Sequence, residues 1–254
     1  MLKFFFPLVM CCVLLTGCGE SSTENGLPKI QRHFSNASER PDFSGYTDSR
    51  AKKTAFFDYL APIAQAENQH ILTLRSTLQR LSSADLNDNE RQWLLKLAKH
   101  YKLDKKLIPE QDAFWEALLE RVDVVPASLV LAQAANESAW GTSRFAVKGN
   151  NFFGQWCYER GCGLVPKKRT DGANHEVARF ASAAGSVASY ANNINTHRAY
   201  KELRTLRKQQ RAAGDKMTGL MLVQGLVNYS SRGNEYINEV KAMIKANQLA
   251  RLDV

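Results

Sequence analysis

The sequence has few residues of the kind that bind metals or cross-link a chain. Only five of its 254 residues are cysteine, and three of those five lie within the first eighteen positions. The other two, Cys157 and Cys162, lack a recognisable second pair of ligands at the spacing that zinc sites use. This scarcity argues against a zinc protein. One cysteine pair is left, and whether it forms a disulfide depends on whether the protein is located in an oxidising compartment of the cell.

Long apolar runs are also missing. The run from Phe4 to Val13 is too short to cross a bilayer as a stable helix and is typical of a secretory signal. Its end, Leu15-Thr16-Gly17-Cys18, resembles a bacterial lipoprotein signal, in which cleavage precedes the cysteine. We therefore expect residues 1–17 to be removed and Cys18 to carry a lipid that anchors the protein to a membrane. An ordinary cleaved signal peptide is the alternative.

These expectations predict a location in the cell envelope, facing the periplasm. The residue after the lipidated cysteine indicates which membrane the protein reaches. An Asp at this position would favour the inner membrane, whereas Gly19 favours the outer membrane. Such a compartment is oxidising, which favours a disulfide between Cys157 and Cys162 over two free thiols. That bridge closes a small loop and contributes about 2 kcal/mol on the chain-entropy account.

Acidic residues are fewer than basic ones. The chain has 34 Lys and Arg against 25 Asp and Glu, a formal charge of +9, which falls to +8 when residues 1–17 with Lys3 are removed. A basic protein suits nucleic acid, an anionic membrane surface or an acidic polymer. Because an exported protein rarely meets nucleic acid, we expect no nucleic-acid partner.

Two segments follow the predicted signal before any chemical motif. Residues 18–45 are rich in polar residues without periodicity, which predicts a flexible tether. Residues 46–125 carry apolar stripes at helical spacing and predict a helical extension. Within it, Pro62 is expected to end one helix and begin another, and Asn87 with Glu90 predicts a capping pair.

Residues 126–254 begin with the strongest chemical signal. Pro126 suits the first turn of a helix, and the residues after it are apolar nearly all round, which predicts a buried helix. Glu137 ends this helix, three residues before Trp140. The negative end of the helix dipole and apolar burial both raise a carboxyl pKa, as a general acid requires. A solvated surface glutamate is the ordinary alternative.

Two motifs accompany that glutamate at a fixed separation. Ala132-Gln133-Ala134, Glu137-Ser138 and Trp140-Gly141 form AQA-x-x-E-S-x-W-G, and Asn151-Phe152-Phe153-Gly154 follows. Together they resemble the signature of the peptidoglycan glucosaminidase family, glycoside hydrolase family 73. The longer stretches LVLAQAANESAWGTSRFA, GNNFFGQWC and NINTHRAY resemble a narrower bacterial group within that family. The resemblance covers roughly the second half of the chain.

This resemblance implies the fold and the activity. The implied fold is α+β and predominantly α, a lysozyme-like helical domain with a small β-hairpin lobe, and short strand patterns after Gly154 agree with such a lobe. The implied activity is that of an endo-β-N-acetylglucosaminidase that cleaves peptidoglycan glycan strands, with Glu137 as general acid. No metal or organic cofactor is implied.

The resemblance also implies further site residues. The stretch from Tyr229 to Tyr236 resembles the family segment Y-[AS]-T-D-x-x-Y, although Ser231 and Arg232 replace the usual Thr and Asp. We therefore expect Tyr229 to be the cleft tyrosine and Tyr236 to be the second candidate, with a core tyrosine as the alternative. The sugar site is expected to be formed by Trp140, Asn151, Phe153, Gln155, Trp156 and Tyr236.

The second carboxyl group is where the sequence departs from the family. Glycoside cleavage usually needs two, and the family often has a Glu on the first strand of the hairpin. Here that strand, residues 166–170, contains no Glu. Glu176 on the second strand is the nearest candidate, ahead of Asp171 and Glu159. The substrate's own acetamido group is the alternative nucleophile.

Two other functions stay open. A lytic transglycosylase also uses one glutamate after a helix, although GNNFFGQW stands where such enzymes show a G-L-M-Q type stretch. A non-catalytic wall-binding lipoprotein or assembly scaffold would account for the missing glutamate. The sequence gives no indication of the oligomeric state.

Overall fold

The computed structural model describes residues 23–24, 26–32, 40–167, 169 and 172–253. The predicted signal peptide and the lipid site at Cys18 lie outside these residues. Among the described residues the fold is α+β and predominantly helical, as predicted. No helix in those ranges is both long and apolar enough to span a membrane.

The elements are as follows in chain order. The α-helices are α1 Ser49–Leu81, α2 Asp88–His100, α3 Asp112–Arg121, α4 Ala127–Glu137, α5 Arg144–Gly149, α6 Ala183–Thr196, α7 Lys201–Ala213, α8 Gly219–Leu222 and α9 Asn234–Ala246. The strands are β1 Thr23–Glu24, β2 Leu27–Pro28, β3 Trp156–Cys157, β4 Gly163–Leu164 and β5 Glu176–Ala178.

Helix α4 lies at the centre of the core. Every residue from Ala127 to Ala135 is buried, as the unbroken apolar sequence predicts. The helix packs against α1 on one side and α9 on another, while α1 also contacts α6. Because α4 is enclosed by its neighbours, the position and direction of its last residue, Glu137, are fixed by the core.

The first helix differs from the prediction at Pro62. Helix α1 continues through this proline instead of ending there. Proline removes one backbone hydrogen bond to the residue four positions earlier, Asp58. Both Pro62 and Asp58 are exposed, so water can satisfy the freed carbonyl, and the buried apolar side of α1 is not interrupted.

The predicted cap of α2 is confirmed as a reciprocal pair. The amide of Glu90 donates to Oδ1 of Asn87 at 3.0 Å, and the amide of Asn87 donates to Oε2 of Glu90 at 3.1 Å. Two backbone donors that the helix leaves unpaired are satisfied in this way. The cap fixes the start of α2, whose far end approaches the site described below.

A buried ionic cluster joins the helical extension to the rest of the chain. The carboxylate of Asp123, just before α4, accepts hydrogen bonds of 2.6 and 2.8 Å from Arg211 of α7. Guanidinium nitrogens of Arg75 in α1 and Arg207 in α7 lie 3.5 and 3.8 Å from the same carboxylate. One hydrophobic core also contains residues from both sides of this point. The domain boundary between residues 125 and 126 stays a prediction.

The predicted flexible tether over residues 18–45 is wrong for the parts that the structure describes. Leu27 is buried, and the carbonyl of Pro28 accepts a hydrogen bond of 2.8 Å from the indole of Trp93 in α2. Phe43 is fully buried. A few apolar residues within a polar stretch therefore hold the described residues 26–32 and 40–45 on the helical extension.

The predicted β-lobe is present, but it is a three-stranded sheet instead of a two-stranded hairpin. Its strand order is β3-β5-β4 and both pairings are antiparallel, with β5 in the centre. The expected strand over residues 166–170 is wrong, since the described residues of that stretch are not in a strand. The strand that pairs with β5 on this side of the sheet is β4, which lies earlier in the sequence than residues 166–170. Gly163 of β4 has no side chain, so the backbone of Val177 can approach it closely.

The predicted disulfide is present between Cys157 and Cys162. It connects the end of β3 to the turn that leads into β4, and Arg179 after β5 donates from its amide to the carbonyl of Cys162 at 3.1 Å. The bridge therefore ties together the two outer strands of the lobe.

Candidate active site

A tight turn at the end of α4 directs the chain away from Glu137. Ala139, Trp140 and Gly141 all have left-handed backbone, with φ of 50°, 60° and 75°. For the two residues that are not glycine, this conformation costs about 1–2 kcal/mol each. The hydroxyl of Ser138 holds the turn by accepting a hydrogen bond of 2.8 Å from the amide of Gly141. Strain of this kind is concentrated at functional sites.

The end of α4 opens into a cleft of about 900 Å³ between the helices and the β-lobe. Glu137 lies on one wall of this cleft. The other lining residues come from the loop after α2, the NNFFGQW stretch, the lobe, α6 and its C-terminal turn, and the segment before α9. They are Lys102, Phe153, Gly154, Gln155, Trp156, Cys157, Tyr158, Ala178, Phe180, Ser189, Tyr190, Asn192, Asn193, His197, Tyr200 and Tyr229.

Glu137 has the protonation behaviour expected of a general acid. Burial raises the pKa of its carboxyl above the usual value of 4.5, and the negative charge of Glu239 acts in the same direction. The hydrogen bond from Tyr236 and one from Asn136 lower that pKa and offset part of the effect. The carboxyl therefore keeps its proton to a higher pH than a solvated glutamate does.

A chain of buried hydrogen bonds positions this carboxyl. The phenol of Tyr236 donates to Oε1 of Glu137 at 2.9 Å. Gln133, one turn earlier on α4, donates from Nε2 to the same phenol oxygen at 2.9 Å, and its Oε1 accepts from the phenol of Tyr190. Gln133 and Tyr236 are almost completely buried. Gln133 therefore serves as a connector between two tyrosines, a role that the sequence reasoning did not assign to it.

The two candidate tyrosines have different places. Tyr229 lines the cleft and stacks on Tyr236, with ring centroids 5.2 Å apart and planes 10° apart. Tyr236 lies beneath it and contacts Glu137 directly. The expectation gave Tyr229 priority for the catalytic role, whereas the structure gives the hydrogen bond with Glu137 to Tyr236.

Three of the expected sugar-site residues line the cleft. Phe153 stacks on Tyr190, with ring centroids 4.1 Å apart. The Gln155 side chain donates to Oγ of Ser189 at 3.0 Å. Trp156 is 57% exposed and stacks on His175 of the lobe, which leaves a broad apolar face open to the cleft.

Trp140 and Asn151 lie outside the cleft lining and have packing roles. The ring of Trp140 makes edge-to-face contacts with two phenylalanines of α1, at centroid distances of 5.4 and 5.6 Å. Asn151 is buried and bonds to backbone groups on both sides, including the carbonyls of Gln155 and Ala178 at 2.9 Å. Both residues therefore pack next to the cleft and are absent from its lining.

The expectation that Glu176 is the second carboxyl group is corrected by its surroundings. Glu176 is only 6% exposed, and it does not line the cleft. Its two oxygens accept hydrogen bonds of 3.0 and 2.8 Å from the amides of Gly161 and Gly163. These bonds lower the pKa of Glu176 and close the turn between β3 and β4. Its role is to shape the lobe.

Several cleft residues were missed by the sequence reasoning. Asn193, His197 and Tyr200 line the wall at the end of α6, and all three belong to the NINTHRAY stretch, which was used only as a resemblance. Lys102 comes from the helical extension, for which no chemical motif was found. The described ranges contain no group of three or more His, Cys, Asp or Glu residues placed to hold a metal ion.

The chain is similar to one described protein family and to one bacterial protein. The profile of the family described as mannosyl-glycoprotein endo-beta-N-acetylglucosaminidase matches residues 113–249, more than half of the chain. The chain is also 34% identical over 225 residues to Protein bax of Escherichia coli (strain K12), which covers 87% of this chain and 78% of that protein. No solved structure matches the chain. The chain therefore belongs to the glucosaminidase family of glycoside hydrolases, as a Bax-type member.

Proposed function

We propose that this protein is a peptidoglycan hydrolase, an endo-β-N-acetylglucosaminidase with Glu137 as general acid. The observation that carries the proposal is the half-buried carboxyl of Glu137 on the cleft wall, with a raised pKa and a fixed orientation. A protonated carboxyl in this position can give its proton to the glycosidic oxygen as the bond from that oxygen to C1 breaks.

The nucleophile in this proposal is the substrate's own acetamido group. Among the described residues that line the cleft, Glu137 is the one carboxyl group. Mechanisms with two protein carboxylates need a second one within about 5–10 Å of the acid. Glu239 is near enough to raise the pKa of Glu137, but it lies outside the described cleft lining and forms an ion pair with Arg232. Asp171, one of the expected candidates, lies outside the described residues. The carbonyl oxygen of the 2-acetamido group would attack C1 as the leaving group departs, and water would then open the cyclic intermediate. The product has a free reducing N-acetylglucosamine end.

The surroundings of Glu137 suit a long, partly charged glycan. The open face of Trp156 offers an apolar surface for the flat side of a sugar ring. The cleft is open and about 900 Å³ in volume, as a polymer substrate requires. The net charge, +9 for the full chain and +8 without residues 1–17 and their Lys3, favours association with a wall polymer that carries lactyl and peptide carboxylates.

A lytic transglycosylase is the second candidate, because a cleft whose described lining contains one carboxyl group, Glu137, suits that reaction equally well. In that reaction Glu137 would again protonate the leaving oxygen. The bond broken would be the one at C1 of a muramyl residue. The C6 hydroxyl of that same residue would attack this C1 in place of water and lose its proton to the Glu137 carboxylate. The product would carry a 1,6-anhydro end instead of a free reducing end.

The experiment that tests this proposal is a digest of purified sacculi, with the new chain ends identified by mass spectrometry. A high-mannose glycoprotein is digested in parallel, since the family description names that substrate class. Reducing N-acetylglucosamine ends from sacculi support the hydrolase. Anhydro-muramic ends assign the protein to the transglycosylases. Binding to sacculi without products supports a non-catalytic wall-binding protein or scaffold, and release from the glycoprotein alone contradicts the wall substrate.

We also propose that the protein is exported and anchored by a lipid on Cys18, in the outer membrane and facing the periplasm. The sequence up to Gly19 supports this proposal. Incorporation of labelled palmitate by the wild-type chain, and its loss in Cys18→Ser, would support it. Release of an unlabelled mature chain would favour an ordinary signal peptide.

A further inference from the structure

Lys102 occupies a backbone position that favours glycine. Helix α2 ends with two hydrogen bonds, from the amide of Leu103 to the carbonyl of Ala98 at 2.9 Å and from the amide of Lys102 to the carbonyl of Lys99 at 3.1 Å. This pair of bonds defines a common helix ending in which the residue after the cap is left-handed and usually glycine. Lys102 has this conformation, with φ of 52°. A lysine there is strained by its Cβ, whereas a glycine is not.

The strained turn is held from outside. The guanidinium of Arg121, at the end of α3, donates to the carbonyl of Tyr101 at 2.9 Å and also to that of Lys102. Leu103, the next residue, is buried in the core. The backbone at Lys102 is therefore fixed on both sides, and the exposed side chain leaves it in a defined direction.

Lys102 lines the same cleft as Glu137. Among the described lining residues Lys102 is the one lysine, and none is an arginine. In the parts of the chain that the structure describes, no carboxylate lies within ion-pair distance of its ammonium group. The described lining of the cleft thus offers one ammonium group to a ligand, and the helical extension supplies it.

We propose that Lys102 binds the lactyl carboxylate that the wall glycan carries on muramyl residues without a stem peptide. The cleft would then prefer a carboxylate-bearing strand to an otherwise equal neutral one. An ammonium group acts as a point charge toward a carboxylate, and it needs no second nitrogen of fixed geometry. This role explains why a lysine, with its backbone strain, stands at a position where a glycine would be unstrained. The proposal rests on the proposed function, whose substrate class it specifies.

The test measures binding, so that it does not depend on turnover. Full-length protein carrying Glu137→Gln is titrated by calorimetry with peptide-free glycan tetrasaccharides from sacculi. The same tetrasaccharides with their lactyl carboxylates converted to methyl esters are titrated in parallel. We expect the free acid to bind about 2- to 5-fold more tightly than the ester. Lys102→Gly should remove this preference, Lys102→Arg should keep most of it, and Lys99→Ala should leave it unchanged.

Lys102→Gly separates binding from folding. Glycine relieves the left-handed backbone, so this variant should unfold at a temperature at least as high as the wild type. A lost preference in a protein of equal or greater stability assigns the effect to the ammonium group. An unchanged ratio of acid to ester affinity in Lys102→Gly, or no glycan binding by the parent protein, overturns the proposal.

The two proposals fail separately. Cleavage of sacculi with an unchanged affinity ratio in Lys102→Gly contradicts the role of Lys102 and leaves the hydrolase intact. A Lys102-dependent preference in a protein that releases no products supports the carboxylate site and contradicts the enzyme.

Discussion

The phenol of Tyr236 donates a hydrogen bond of 2.9 Å to Oε1 of Glu137, from a position beneath the cleft floor. Because Tyr236 is buried and bonded in turn to Gln133, its hydroxyl has little freedom. The bond lowers the pKa of Glu137 while burial raises it, so the tyrosine sets both the direction and the acidity of the carboxyl.

Tyr236→Phe should therefore reduce turnover and change its pH dependence. Without the phenol, the pKa of Glu137 rises further, so the alkaline limb of the kcat profile should move to higher pH. The loss of position should lower kcat by about 100-fold. The unpaired Nε2 of Gln133 should reduce the free energy of unfolding by about 1–3 kcal/mol. A pH–rate profile on soluble glycan strands measures the first two effects.

Tyr59→Phe is the control for that variant, since Tyr59 is on α1 and does not line the cleft. It should leave the position of the alkaline limb unchanged. A Tyr236→Phe profile that coincides with the wild type, or that moves to lower pH, would contradict the role given to this hydrogen bond.

Glu137→Gln should stabilise the protein at neutral pH. The pKa of Glu137 is raised above 4.5 in the folded state, so between 4.5 and the raised value the folded chain holds more protons than the unfolded chain. The free energy of unfolding of the wild type therefore falls as the pH rises through this window. A glutamine at position 137 does not ionise, so the variant does not lose stability in this way. Urea unfolding at pH 7 should give the variant the higher stability, and the difference should vanish below pH 4.5.

The matched control is Glu235→Gln, which removes an exposed carboxylate from the first turn of α9. It should give no gain at pH 7, because a negative charge near a helix start is mildly favourable. Equal stability of Glu137→Gln and the wild type across the pH range would show that Glu137 is solvated as an ordinary surface glutamate.

Asp123→Asn should destabilise the whole fold. The variant leaves Arg207, which is 0% exposed, without its main counter-charge, and losses of this kind cost about 3–5 kcal/mol. Burial acts to raise the pKa of Asp123, but the bond from Arg211 and the charges of the three arginines prevail and lower it below 3.8. Its stabilising effect is therefore present above pH 3.8 and is lost as the pH falls through the folded value.

Unfolding in urea at pH 7 and at pH 3 measures this effect, with exposed Asp215→Asn as control. The difference between Asp123→Asn and the wild type should be largest at pH 7 and smaller in acid. Since the cluster joins α1 to α7, a separate fragment of residues 126–254 should also fail to fold. A stable fragment would contradict the view that the extension and the enzyme share one core.

The fold class and the position of Glu137 at the end of a buried helix could be predicted, because both depend on residues that are close together in the sequence. An unbroken apolar run defines a buried helix such as α4, and a glutamate at its end keeps its place in any packing of that helix. The choice between Tyr229 and Tyr236 was not local. Both lie in one short segment, and which phenol reaches the carboxyl depends on the direction in which α9 leaves the turn at Gly233, where φ is 51°.

Motif membership also predicted more residues in the cleft lining than the structure places there. Trp140 and Asn151 belong to the signature, yet one packs on α1 and the other organises a loop. Lys102 lies in no motif. It lines the cleft because helix α2 ends next to the cleft. Hydrophobic periodicity does not predict which distant segments lie next to each other. The signature therefore marks residues that build the site as well as residues that act in it.

The most direct test of the central claim compares Glu137→Gln with Glu235→Gln in the rate at which new chain ends appear during digestion of sacculi. If Glu137 is the general acid, the first variant should lose about 10²- to 10⁴-fold in rate while it still binds sacculi, and the second should retain near wild-type activity. A Glu137→Gln protein that releases the same products at a rate close to that of the wild type would contradict the account.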